Sequence, residues 1–235
     1  MDKDLAKFEK NIGVKFKKKN LLNTVFVHRS YLNENKNYPL PHNERLEFLG
    51  DAVLELVVTD YLYKNLDKPE GEMTNLRAAL VKGDMLSEIA VKLGMGKMML
   101  LSRGEMKTGG RERKVLLANA FEALVGAIYL DQGIVVAKKF IEKNLLIRLD
   151  EIVKKGLYVD SKTVLQEVSQ DQEGITPTYE VLKESGPDHD KTFEIGVFIN
   201  GDRIGRGKGS SKQEAQQNAA QDGLDNWESL KDKNK

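Results

Sequence analysis

The chain has 235 residues, 40% hydrophobic and 31% charged, which fits a soluble globular protein with room for two domains. It contains no cysteine, which excludes disulfides, thiolate metal sites and thiol nucleophiles. The net charge of +1 is uneven: residues 1–159 hold 27 Lys and Arg against 21 Asp and Glu (+6), and residues 160–235 hold 10 against 15 (−5), so any hold on nucleic acid rests on local patches, not on a global field.

The N-terminal stretch MDKDLAKFEKNIGVKFKKKN is too charged for a signal peptide. No segment approaches roughly 18 uninterrupted apolar residues. These features predict a cytoplasmic protein with no membrane contact.

Residues 1–152 are predicted to be helical throughout. Apolar residues recur at three and four in LEFLGDAVLELVVTDYLY, LRAALVKGDMLSEIAVKLG, LLANAFEALVGAIYLD and VVAKKFIEKNLLIRLDEIV. Breaks are expected at NYPLPHN, LDKPEGEMT and LSRGEMKTGGRERK. Residues 153–159 read as a linker. In 160–229 the pattern changes. SKTVLQEVSQD suggests a short helix, and TPTYEVLKE, KTFEIGVFI and RIGRGKG read as half-buried strands. Asn200-Gly201 is a hairpin signal between the last two strands. SKQEAQQNAAQDGLDNW is helical and opens with a Ser211/Glu214 capping box. Residues 230–235 are a short tail. The expected fold is therefore an all-α domain followed by a small α+β domain of order α-β-β-β-α.

The run HNERLEFLGDAVLELVV places Glu44, Glu47, Asp51 and Glu55 at steps of three, four and four, on one helix face. Such a stripe is ordinarily solvated. This one is narrow, and Leu46, Phe48, Leu49, Val53, Leu54, Leu56 and Val57 take most of the remaining circumference. In LANAFEALVGAIYL the one charge is Glu122. A helix apolar all round is buried, and a buried carboxylate either protonates or finds a cation. Asn119 and Gly126 share the face of Glu122, and a glycine there admits a neighbouring backbone. If the neighbour is the first helix, Glu44, Glu47, Asp51, Asn119 and Glu122 converge. Two carboxylates about 5 Å apart repel by roughly 3 kcal/mol at an effective dielectric near 20. Oxygen ligands without nearby His or Cys suit Mg²⁺ or Mn²⁺, ions used for phosphodiester hydrolysis.

HNERLEFLGDAVL, with HRSY before it and EGEMTNLRAALV and LLANAFEALVGAIYLDQG after it, closely resembles bacterial ribonuclease III. The resemblance covers nearly the whole chain. It implies a helical endonuclease domain that forms a homodimer and cuts double-stranded RNA with Mg²⁺ (Mn²⁺ as substitute), without an organic cofactor. It implies metal ligands at Glu44, Asp51 and Glu122, with Glu47 in the same cluster and Asp51 and Glu122 as catalytic acids. It implies a further acid for RNA processing at Glu70. It also makes Phe48, otherwise a core residue by default, a knob for a pocket of the other subunit. Asn119 stands where the family most often has Asp. His28 reads as a helix-packing histidine. The basic run LSRGEMKTGGRERK is open between a solvated loop and a phosphate contact.

The second domain resembles the double-stranded-RNA-binding domain, which reads A-form shape over about 16 base pairs. The matching residues are Thr163, Gln166 and Glu167 on the first helix, Pro187 and His189 in a strand connection, and Ser210, Ser211 and Lys212 at the last helix. A helix N-terminus with lysine there favours phosphate. The expected function is Mg²⁺-dependent cleavage of duplex RNA to 5′-phosphate and 3′-hydroxyl ends in processing of ribosomal and other RNA. The alternative is a non-catalytic RNA-binding or ribosome-associated protein of the same fold.

Overall fold

The computed structural model describes residues 2–154, 156, 158, 160–187 and 191–231. The chain divides into two compact units, residues 1–158 and 159–235.

The first unit is built of α1 (Asp2–Ile12), α2 (Lys19–Val25), α3 (Arg29–Glu34), α4 (Glu44–Asn65), α5 (Glu70–Leu80), α6 (Gly83–Lys92), α7 (Arg103–Lys107), α8 (Lys114–Gln132), α9 (Ile134–Asn144) and α10 (Leu149–Lys154). The centre is α8, packed by α2, α4, α6 and α9. Its Ala120, Phe121, Ala123, Leu124, Val125, Ala127 and Ile128 have no exposed surface. Each such Leu, Ile or Phe contributes about 1.5–3 kcal/mol by burial. Among the described residues, α8 alone is long and apolar enough to match a membrane span, and it is more than half buried, as the core helix of a helical unit is.

Two stretches depart from the periodicity. LRAALVKGDMLSEIAVKLG is two helices, α5 and α6, because Lys82 is extended (φ −58, ψ 136) and α6 restarts at Gly83. VVAKKFIEKNLLIRLDEIV is also broken, into α9, a 3-10 turn at Leu146–Arg148 and α10. Leu145, Leu146, Leu149 and Ile152 are all buried across this break. Two expected loops are partly ordered: EGEMT begins α5, and LSRGEMKTGGRERK holds α7 and a 3-10 turn. α7 is capped by the Ser102 hydroxyl, which accepts from the Glu105 amide.

The second unit runs α11 (Ser161–Glu173), β1 (Thr178–Ser185), β2 (Thr192–Ile199), β3 (Asp202–Gly209) and α12 (Lys212–Lys231). The sheet is antiparallel in the order β1-β2-β3, with Val181 opposite Ile195 and Ile195 opposite Gly207. Asn200 (φ 52) and Gly201 (φ 87) both lie in the left-handed region, the geometry of the tight hairpin that Asn-Gly predicts. The alternation in β3 has a specific cause. Gly205 and Gly207 lie against the α12 backbone, where a Cβ on Gly207 would stand 2.2 Å from the Ala219 nitrogen. Ala215, Ala219 and Ala220 complete this seam of small residues. β1 differs from expectation: all but Tyr179 is exposed, because α12 covers β2 and β3 and leaves this edge strand in solvent.

Candidate functional site

The site grows from two glycines. α4 and α8 cross with Gly50 against Gly126. A Cβ on Gly50 would stand 1.8 Å from the Glu122 carbonyl oxygen, and one on Gly126 would stand 2.3 Å from the Leu46 oxygen. Neither helix tolerates a side chain there, so the backbones touch and the acids on both helices share one region. The sequence points to Gly126. It does not single out Gly50, which lies inside an apolar run like any other small residue. The start of α4 is fixed by Asn43, fully inside the unit, whose side-chain amide donates to the Val25 carbonyl at 3.0 Å.

The five residues act on one another electrostatically. Burial, then the charges of Asp51 and Glu47, push the Glu122 carboxyl up to about 7. Burial also raises Glu47, helped by Glu44 and Asp51, while a hydrogen bond from the Asn119 amide works in the opposite direction. None of the charges that perturb these two groups is positive. Glu44 stands apart in this respect. Its Oε1 pairs with Arg29 Nε at 3.0 Å, and His42 Nδ1 lies 3.7 Å from its Oε2. Asp51 is exposed. Hard oxygen donors carrying uncompensated negative charge match Mg²⁺ or Mn²⁺ in kind. Among the described residues, though, no three His, Asp or Glu side chains stand at a spacing that would hold an ion.

Glu70, on the exposed first turn of α5, is not among the charges that perturb Glu47 or Glu122. His28 is a cap. Its Nδ1 accepts from the Ser30 amide at the start of α3 and sits 2.7 Å from the Ser30 hydroxyl, and burial lowers its pKa. In the basic run, Arg113 pairs with Glu105 at 2.8 Å and Lys114 with Asp84 at 2.9 Å. Phe48 is 81% exposed, which removes it from the core of its own unit. Leu56 and Tyr63 are exposed with it, within about 80° of the α4 circumference, and form an apolar strip beside the acids.

In the second unit Thr163, Gln166 and Glu167 are exposed on one face of α11, as their spacing requires. Thr163 and Gln166 line a cavity of about 300 Å³ with Asp160, Lys162, Tyr179 and Gln217. Pro187, Ser210, Ser211 and Lys212 are exposed, and His189 lies outside the described residues. Ser211 caps α12 by accepting from the Glu214 amide at 3.2 Å. The reciprocal bond of a capping box is shifted by one residue: Glu214 accepts from Ser210, not from Ser211.

Residues 18–149 match the family described as Ribonuclease-III-like, and residues 161–226 match the double-stranded RNA binding motif. Together these define the class, a nuclease unit followed by a duplex-RNA-binding one. Relatives of similar length narrow it. Ribonuclease 3 of Desulforamulus reducens is 44% identical over 230 residues, spanning 97% of this chain and 94% of that one. Ribonuclease 3 of Treponema denticola is 45% identical over 224 residues, spanning 95% and 91%. The crystal structure of the nuclease domain of ribonuclease III from Campylobacter jejuni aligns with a TM-score of 0.54 at 40% identity, over 63% of this chain and 95% of that one. A second structure of that domain, described by flexibility in a region involved in dimer formation, aligns with a TM-score of 0.53 at 43% identity, over 59% and 96%. The chain belongs to the ribonuclease III family and is an endoribonuclease of double-stranded RNA.

Proposed function

We propose that Glu44, Glu47, Asp51, Asn119 and Glu122 hold Mg²⁺, with Mn²⁺ as a substitute, and that Asp51 and Glu122 are the catalytic acids. The observation that carries this reading is Glu122. It is raised to about 7 where two helix backbones touch, with acids and no cation among the charges that act on it. When bound, the ion supplies neutralising charge and acidifies the attacking water. The chain's residues supply the rest. The Gly50–Gly126 contact fixes the spacing of the two helices. Glu122 and Glu47 lose charge repulsion on binding a cation, which makes the site selective for positive charge. Arg29 keeps Glu44 oriented at the edge of the cluster. The products are 5′-phosphate and 3′-hydroxyl ends, formed in processing of ribosomal and other RNA in the cytoplasm.

The active form in this reading is a homodimer, each subunit cutting one strand. Phe48, Leu56 and Tyr63 are apolar surface that a second subunit would cover. The dimer-forming region named for the Campylobacter jejuni domain supports it. Thr163, Gln166, Glu167, Pro187, His189, Ser210, Ser211 and Lys212 hold the duplex, and Glu70 contributes to processing from α5. Asn119, neutral where relatives are expected to be charged, favours one competing reading, a binder that does not cut. Incubation of a long RNA duplex with the protein, with Mg²⁺ and with chelator, decides between them. Shortening of the RNA that depends on metal is the expected result. Retention of intact RNA under both conditions would establish the binder.

A further inference from the structure

The groups that would meet RNA phosphates in the second unit are already engaged from within. Lys212 Nζ lies 3.2 Å from Glu184 Oε1 and 5.6 Å from the centre of the Phe193 ring. The other oxygen of Glu184 lies 3.7 Å from Lys191 Nζ. Glu214 Oε2 accepts from the Ser210 amide at 2.7 Å and from its hydroxyl at 2.6 Å. Glu194 faces Lys208 at 3.6 Å and Arg206 at 3.9 Å. A carboxylate is an acceptor-only anion, as a phosphate oxygen is, and it satisfies the same donors.

We infer that Glu184 sets the RNA affinity of this unit: it occupies Lys212 in the free protein as an internal substitute for a phosphate, and duplex RNA takes Lys212 by displacing it. The inference rests on the reading of Lys212 as a phosphate contact. Glu184 is better placed for this role than Glu214, whose bonds also order the start of α12. Glu184 stands on the exposed strand β1, and among the described residues its partners are the two lysines. Displacement has a signature in salt dependence. A lysine that neutralises a phosphate releases a counterion, which steepens the fall of affinity with salt. A carboxylate set free in the same step recruits a cation and cancels part of that release. The unit therefore binds weakly and with a shallow salt slope, and a dimer carrying two such units regains affinity through avidity.

The test uses the full chain in chelator, which prevents cleavage, and a labelled RNA duplex of about 20 base pairs, longer than the domain's footprint. Binding is measured by fluorescence anisotropy from about 50 to about 200 mM salt. Glu184→Gln is expected to tighten binding about two- to fivefold, the range of an exposed ion pair, and to steepen the salt slope. The gain should vanish when Lys212→Ala is already present, since the acid acts through that lysine. Glu184→Asp, one methylene shorter, should give a smaller gain in the same direction and keeps the test open if the glutamine variant folds poorly. Unchanged binding by Glu184→Gln overturns the inference. So does an equal gain in the Lys212→Ala background, which would mean general charge and not displacement. If Lys212→Ala alone leaves binding unchanged while the protein still cuts duplex RNA, the phosphate role of Lys212 fails first, and the inference falls with it.

Discussion

The acids at the α4–α8 crossing and those of the second unit are treated in opposite ways. In the second unit Glu184, Glu194 and Glu214 each face a lysine, an arginine or a serine of the same unit. At the crossing, Glu47 and Glu122 face each other, Asp51 and an amide, and both are pushed toward their protonated forms. A paired acid is finished, and it competes with whatever anion approaches. An acid raised by its neighbours is unfinished and favours the arrival of a cation. The contrast is what the proposed reading rests on: a cation at the helix crossing, and an anion, held in check, at the small unit.

The largest expected effect comes from removing the most strained acid. Glu122→Gln keeps the shape at the crossing and removes the charge. Cleavage should fall by more than about 100-fold, the loss that even an outer partner of a metal site produces, while duplex binding in chelator is unchanged. Cleavage near the parent rate would mean that Glu122 is not a ligand, and the contrast between the units would lose its functional meaning.

Phe48→Asp comes next. It places a charge on the apolar strip of α4 and should convert the dimer to monomer at micromolar concentration, read by light scattering. A parent protein that is already monomeric there, or a variant that stays dimeric, removes the strip from the interface.

The third effect concerns stability. Glu122 is raised above its unfolded value near 4.5, to about 7. A raised carboxyl stabilises the folded state while both forms are protonated, and that contribution is lost as pH rises from about 4.5 through about 7. Glu47 shifts in the same direction. The metal-free chain should therefore lose about 1–2 kcal/mol over this window, after allowance for solvent screening, and melt a few degrees lower at neutral pH. Added Mg²⁺ should reverse the loss. Glu122→Gln should flatten the pH dependence without metal. A melting temperature that does not respond to pH in chelator would mean that the acids lie farther apart than their mutual effects indicate.

The extent to which this arrangement is legible in sequence follows from the physics of each part. The acids on α4 and the lone Glu122 in an apolar helix are visible because charge in an apolar context is costly and rare. The hairpin at Asn200-Gly201 is visible because few residue pairs accept two positive φ angles. The breaks inside α5–α6 and α9–α10 are not visible, since apolar periodicity continues across them and only tertiary packing decides where the helix stops. Gly50 is missed for the same reason: its role depends on a partner helix that periodicity does not identify. Arg29 and Glu184 are missed because the partner of a surface charge is set by topology. Glu184 and Lys212 are 28 positions apart, and the three-stranded sheet brings them together.

The smallest expected effect is at Asn119. Its amide acts on Glu47 and lowers that carboxyl's pKa against the neighbouring acids. Asn119→Asp replaces the donor with a like charge. Without metal, Glu47 should rise further and the chain should melt lower at neutral pH. With metal, the added charge is a ligand, and the Mg²⁺ concentration for half-maximal cleavage should fall by about tenfold, the lower end of what an outer partner of a metal site contributes. The two changes have opposite signs from one substitution, which separates a residue at the ion from one that merely packs nearby. A variant that gains activity from none to the level of its relatives would show that Asn119 disables the parent chain. If only the Mg²⁺ requirement moves, the asparagine is a working ligand that sets the cation concentration at which the crossing is complete. An unchanged titration, with Glu47 still raised, would leave Asn119 as a hydrogen-bond donor to an acid and place the ion on Glu44, Asp51 and Glu122 alone.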